Sequence, residues 1–245
     1  MAKAIHFTFL IVFLATSVLF AQESPSPTPT SSPTAEQTPL PSPSASAART
    51  VQLRFVPPPM EGTISLGIFD SNDKLVRVLH RESKIDNFTI DENALRTTWD
   101  GKNDTGEDLP PGKYRARGYM VAQSKIDNLG KEANSPNEAS DHVSVKLVMN
   151  PLVNDTRSVV EIAVGLDADG DFLETTDGLP LRAISGKPGD APNAFNSILK
   201  RARLTKSGEH AVDVWEEDWP HGVYHIRVSN IDKMMAFDCG FFELK

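Results

Sequence analysis

A single cysteine in 245 residues sets the first constraint on this chain. Cys239 has no partner of its own kind, so no intrachain disulfide framework can hold the fold together. Basic charge is also short. Lys and Arg number 25 against 33 Asp and Glu, a net charge of −8, whereas a surface facing phosphates needs a cationic excess. Only one long apolar run exists, at the N-terminus, which excludes a polytopic membrane protein. Catalytic signatures are missing as well. There is no G-x-S-x-G elbow and no H-E-x-x-H helix, and Gly186-Lys187 runs into Pro188 rather than a phosphate loop. The many carboxylates fall in no pattern that would separate two proton affinities, as acid–base chemistry requires. The expectation is a chain that is not an enzyme, with a hydrolase of unrecognised type as the alternative.

What is present begins with an address. Residues 1–21 combine Lys3, an apolar stretch from Phe7 to Phe20 and a closing Ala21, the layout of a secretory signal peptide. The run is shorter than the ~20 apolar residues a spanning helix needs, and no cysteine follows it to take a lipid. Export to the periplasm, cell envelope or medium is expected. Membrane contact would come only through an uncleaved signal anchor.

From residue 22 to 49 the composition changes to Pro, Ser and Thr, with seven of the 18 prolines between Glu23 and Arg49. Leu40 is the only apolar side chain there larger than Ala. Such a segment buries too little surface to offset its ordering entropy and is expected to be a disordered stalk.

Beyond residue 50, alternation dominates. Ile64, Leu66 and Ile68 share one face; so do Val160, Ile162, Val164 and Leu166. Tyr224, Ile226 and Val228 point one way while His225 and Arg227 point the other. This period of two, bounded by Asp, Asn, Gly and Pro, predicts half-buried strands. Further strands are expected at Val51–Val56, Lys74–Leu79, Ala94–Trp99, Val143–Met149, Ile198–Leu204 and Ala211–Trp215. Helical spacing competes only at Ala194–Ala202. The fold class is all-β.

Two stretches align without a gap, LPPGKYRAR at 109–117 and WPHGVYHIR at 219–227. Proline fixes the approach turn, glycine supplies a left-handed position, and tyrosine enters a strand on its inward face. Each is preceded by a strand ending in tryptophan, at Trp99 and Trp215, and further upstream by an acidic turn. The order predicts two tandem β-sandwiches, over 50–122 and 143–245, with the polar stretch 123–142 as a linker or long loop.

The first copy resembles the FlgD-type immunoglobulin-like domain family. The residues that carry the likeness are Ile64 to Asp70, Leu75 to Leu79, the Thr98-Trp99-Asp100-Gly101-Lys102-Asn103-Asp104-Thr105-Gly106 segment and Leu109-Pro110-Pro111-Gly112-Lys113-Tyr114. Asp73 stands where the family usually has a hairpin glycine. The likeness covers residues 50–122; the second copy follows it only in outline, with Trp215-Glu216-Glu217 in place of the W-D-G loop. The resemblance implies immunoglobulin-like modules with structural, spacer or interaction roles and no catalytic residue set.

Several side chains qualify as candidate sites. Asp167, Asp169 and Asp171 alternate as calcium ligands do, with Glu174 and Asp177 nearby, although the same Asp-Gly sequence also makes a hairpin turn. Asp100, Asn103 and Asp104 form a second acidic loop. His221 and His225, beside Glu216, Glu217 and Asp218, could face one way and take zinc. Trp215 and Trp219 could stack on sugar rings if exposed, or plug the end of a core if buried. Lys200, Arg201, Arg203 and Lys206 read as a charged strand edge, and Cys239 as a small apolar side chain. No cofactor is required, calcium aside. The expected partner is a protein or a polysaccharide at the cell surface, met by a monomer.

Overall fold

The computed structural model of the chain describes residues 49–152, 157–167, 170–184, 199–219 and 222–245. The signal segment and the stalk lie outside them. Among the described residues, β-branched and aromatic alternation yields fifteen strands and one short 3-10 turn, Ile85–Asn87. In chain order the strands are β1 (Val51–Phe55), β2 (Thr63–Phe69), β3 (Leu75–Ser83), β4 (Thr89–Asp91), β5 (Ala94–Trp99), β6 (Gly112–Val121), β7 (Lys125–Glu132) and β8 (Val143–Lys146). They continue with β9 (Val159–Asp167), β10 (Gly170–Thr175), β11 (Pro180–Ala183), β12 (Leu199–Lys206), β13 (Ala211–Trp219), β14 (Gly222–Ser229) and β15 (Met234–Leu244). The all-β expectation holds, and every strand pairing is antiparallel.

Four sheets result, in the orders β1-β5-β4, β15-β6-β2-β3, β11-β10-β9-β8 and β12-β13-β14-β7. The second of these departs from the expected tandem plan. Its edge strand β15 is the last of the chain, yet it pairs with β6, Phe237 opposite Gly118 and Met234 opposite Val121. Strands β7 to β14 are therefore inserted between two neighbouring strands of one sheet. The expected boundary fails in the middle too. Residues 123–142, anticipated as a linker or long loop, contain β7, which pairs with β14 (Ile126 opposite Val228), and Ser124 and Ala139 are buried. The halves are nested, not consecutive.

Two apolar clusters fill the layers. One joins Leu53, Phe55, Leu95 and Trp99 to Ile64, Leu66, Ile68, Ala116, Met120 and Phe237. The other joins Val160, Ile162, Leu173, Leu179 and Leu181 to Val212, Val214, Ile226 and Val228, and includes Tyr119, Val121, Met234 and Ala236. The β15-β6-β2-β3 sheet thus contributes to both, one face to each. Strand β2, expected to be half-buried, is buried at every position from Ile64 to Phe69. A strand covered on both faces loses the polar alternation that marks a solvent-facing sheet.

The alternate faces of β6 divide cleanly, Tyr114, Ala116 and Met120 toward one cluster and Tyr119 and Val121 toward the other. Strand β15 needs a correction to do the same. Its bulge between Asp238 and Gly240, with Gly240 at φ 82°, shifts the pairing by one residue. An added residue swaps the faces of all later positions in the strand, so Phe242 and Leu244 join Phe237 on the same cluster.

Polar contacts fasten the insertion to the first half. Glu82 in β3 has a left-handed φ of 42°, and its carboxylate accepts the Ala183 N–H at 2.8 Å and Arg182 Nη1 at 3.1 Å. The edge of β11 is thereby capped. Arg117 lies 4.0 Å over the Phe69 ring and meets Asp73 and Asp177 at 3.2 and 3.3 Å. The free edge of β15 is covered as well: Val148 N–H donates to the Met234 carbonyl, Asn150 Nδ2 to that of Ala236, and Arg157 Nη2 to that of Phe237.

The W-D-G segment is built of turns. Trp99 Nε1 donates to the Lys102 carbonyl at 2.9 Å, and Asn103 Oδ1 accepts the Thr105 and Glu107 N–H groups at 3.0 and 2.8 Å. Gly101 and Gly106 take the left-handed angles such a loop requires, φ 76° and 81°. Asp73, at the position of the expected glycine, does the same at φ 60°. Tyr114 donates from its hydroxyl to the Pro110 carbonyl at 2.8 Å. Its counterpart Tyr224 is only half-buried, and Trp215 lies on the face of its strand opposite Val214. The sequence match at 219–227 is not a match of side-chain roles.

Candidate functional site

The richest cluster of polar chemistry lies on the outer face of the β12-β13-β14-β7 sheet. In β13, Val212 and Val214 turn into the core, so Asp213, Trp215 and Glu217 face outward. Pairing aligns Thr205, Asp213 and Arg227 in one row and Arg203, Trp215 and His225 in the next. The indole of Trp215 stacks on the His225 imidazole, centroids 3.8 Å apart and planes 17° apart. Its Nε1–H donates to Thr205 Oγ1 at 3.0 Å. Residues 133–142 fold over this face, where Ala139 and Val223 pack with Trp215 and Ser135 Oγ donates to Glu217 Oε1 at 2.6 Å.

Asp213 is 6% exposed, and a buried carboxylate persists only if paired. It accepts Arg227 Nε at 2.7 Å and Nη2 at 3.0 Å, and His225 Nε2 lies 3.3 Å from its Oδ2. Burial pushes its proton affinity up, but the hydrogen bonds and charge of Arg227, with His225, outweigh that, and the carboxyl titrates below its ordinary range. Arg227 is driven the other way by the same hydrogen bonds. Beside this pair opens a groove of about 530 Å³, bordered by Glu138, Thr205, Lys206, Asp213 and the edge of Trp215. Its charges are of both signs, and its most buried carboxylate is already neutralised.

The anticipated sites fare differently. Asp169 and His221 lie outside the described residues, as do Gly186 and Lys187. Asp167, whose side chain also lies outside the described residues, pairs through its backbone with Gly170, joining β9 to β10. Asp171 is buried at 4% exposure within β10. Among the described residues no group of three His, Cys, Asp or Glu is placed to hold a metal ion. At His225 the nearest carboxylate is engaged by a guanidinium, which competes with any cation for the same oxygens. The paired-indole sugar platform loses one member, since Trp215 is 8% exposed with one face on His225; burial is the alternative that the sequence left open for this residue. Trp219 ends β13, and its side chain lies outside the described set.

In the second acidic loop, Asp100 Oδ1 accepts the Lys102 N–H and Asp104 accepts the Val78 N–H at 3.0 Å. These carboxylates serve the backbone of the loop and of β3. Hydrogen bonds from Asn103 and Thr105 hold Glu107 below its usual range. The basic run lies on edge strand β12, where Arg201 pairs with Asp141 at 2.7 Å and Lys206 borders the groove; the side chain of Lys200 is outside the described residues. Cys239 packs beside Trp99's cluster, and burial pushes its thiol up to about 12.

Sequence reasoning missed the clamps Glu82–Arg182, Arg117–Asp177 and Asp213–Arg227. Only the last had a local signal, an opposite-charge pair on adjacent strands; the others join residues 60 or more positions apart. No known protein family, curated protein or solved structure matches the chain.

Proposed function

We propose that this chain is an exported, non-catalytic scaffold: a stalked pair of immunoglobulin-like β-sandwiches that acts as a spacer and presents surfaces for protein contact at the cell envelope. The observation that supports this most is the return of β15 to β6. It ties the end of the chain into the first half, and one sheet then serves both cores. A body joined through shared strands resists hinging in a way that two beads on a polar linker do not. The FlgD-type resemblance of residues 50–122 points the same way, since such modules are structural parts. Asp213 and Glu82 are committed to internal ion pairs and, for Glu82, a backbone donor, which suits a mechanical role better than a chemical one.

Export is the half of this reading that is tested first. The full-length chain produced in a bacterial host and followed by cell fractionation is expected in the periplasm or medium, shortened by the mass of residues 1–21. Retention in the cytoplasm at full mass would overturn it.

A further inference from the structure

A second cavity opens where the chain passes between its two halves. It holds about 710 Å³, a size suited to a small-molecule ligand. It lies beside Ala122–Gln123, where β6 gives way to β7, and beside Lys233, just before β15. Three of its lining side chains are cationic, Lys84, Arg182 and Lys233, against the single carboxylate of Glu61. In a chain of net charge −8 this local reversal of sign is an electrostatic feature in its own right, because a cleft lined by one charge concentrates the opposite ion.

Arg182 is fixed from behind. Its Nη1 donates to Glu82 Oε1 at 3.1 Å, and Glu82 is itself held by the Ala183 N–H. Arg182 Nε is buried and has no hydrogen-bond partner among the described residues. The guanidinium is therefore held in one orientation at the crevice wall. Lys84 and Lys233 are exposed and enter no ion pair among the described residues. Together they supply long, mobile cations beside a rigid planar one, the combination that suits an oxyanion.

We propose that this crevice is a binding site for a small anionic ligand bearing a carboxylate or phosphate group, with Arg182 as the oriented donor and Lys84 and Lys233 closing on it. Gln123 offers an amide to a neutral polar part of the same ligand. The proposal stands apart from the scaffold reading, which its failure would leave intact.

The test is calorimetric titration of the full-length chain at fixed ionic strength with inorganic phosphate, with glucuronate and with uncharged glucose. Binding of phosphate or glucuronate but not glucose is expected, and the one that binds identifies the anionic group. The Lys84→Ala, Lys233→Ala double variant, altered only at exposed positions, is expected to bind at least fivefold more weakly with an unchanged melting temperature. Three results would overturn the site: no binding of either anion, equal binding of glucose, or a double variant weakened by less than fivefold.

Discussion

Replacing Phe237 with alanine distinguishes a nested chain from a tandem one. Phe237 lies deep in the second half of the sequence, yet it is fully buried against Phe55, ring centroids 4.6 Å apart and planes 12° apart. Truncating a buried phenylalanine costs about 3–5 kcal/mol, from lost transfer energy and the cavity left behind. With a urea dependence of about 3 kcal/mol per molar for a body of this size, the midpoint should fall by roughly 1–1.7 M. The reporter is Trp99, fully buried in the same cluster, followed by fluorescence in a Trp215→Phe, Trp219→Phe background with and without the Phe237→Ala change. Trp99 precedes residue 237 by most of the folded chain, so they share a cluster only because β15 returns to the first half, pairing with β6 and packing on Phe55 and Trp99. A Trp99 transition that stays at its parental midpoint, while circular dichroism reports lost stability, would refute the reasoning.

Local geometry sets three further outcomes. Gly118→Ala should destabilise by about 1–3 kcal/mol or more, because an added Cβ would sit 2.1 Å from the Ser65 carbonyl oxygen and 2.9 Å from the Phe237 ring; thermal melts that match the parent would contradict the close approach of β6 to β2. Asp213→Asn should flatten the acid limb of stability. The folded carboxyl titrates below its unfolded value of ~3.9, so its contribution is complete above that pH and is lost as pH falls through the lower folded value; urea midpoints between pH 7 and pH 2 would show it, and an acid limb as steep as the parent's would count against the Arg227 pairing. Cys239, with its thiol pushed up to about 12, should react with a thiol reagent at pH 8 only after unfolding. Labelling of the folded chain as fast as the unfolded one would place that residue elsewhere.

The strands that sequence reasoning found are those whose environment is decided locally. Ile64, Leu66 and Ile68, or Ile226 and Val228, announce a buried face by spacing alone. Strand β7 announces nothing, since Lys125–Glu132 is a mostly exposed edge with little apolar alternation to read. Residues 234–244 also escaped, because the bulge at Gly240 breaks the period that would have marked them. At β12 the competing helical spacing of 194–202 gives way to strand from Leu199 onward, while residues 194–198 lie outside the described part. The larger difference is topological. Alternation says that β6 needs a neighbour but not which strand supplies it, and nothing near residue 121 signals a partner at 234. The same limit applies to the candidate sites. Trp215 and His225 stood out by type, but their stacking and the Arg227–Asp213 pair depend on cross-strand register. The crevice at Lys84, Arg182 and Lys233 gathers residues that no short motif could connect.

The place of the last strand decides between nested and consecutive halves, and nuclear magnetic resonance of the folded chain reads that place directly. Cross-strand Overhauser contacts are expected between residues 234–238 and residues 117–121, Phe237 facing Gly118. Contacts from residues 234–238 to β12 or β14 instead, with none to 117–121, would contradict it.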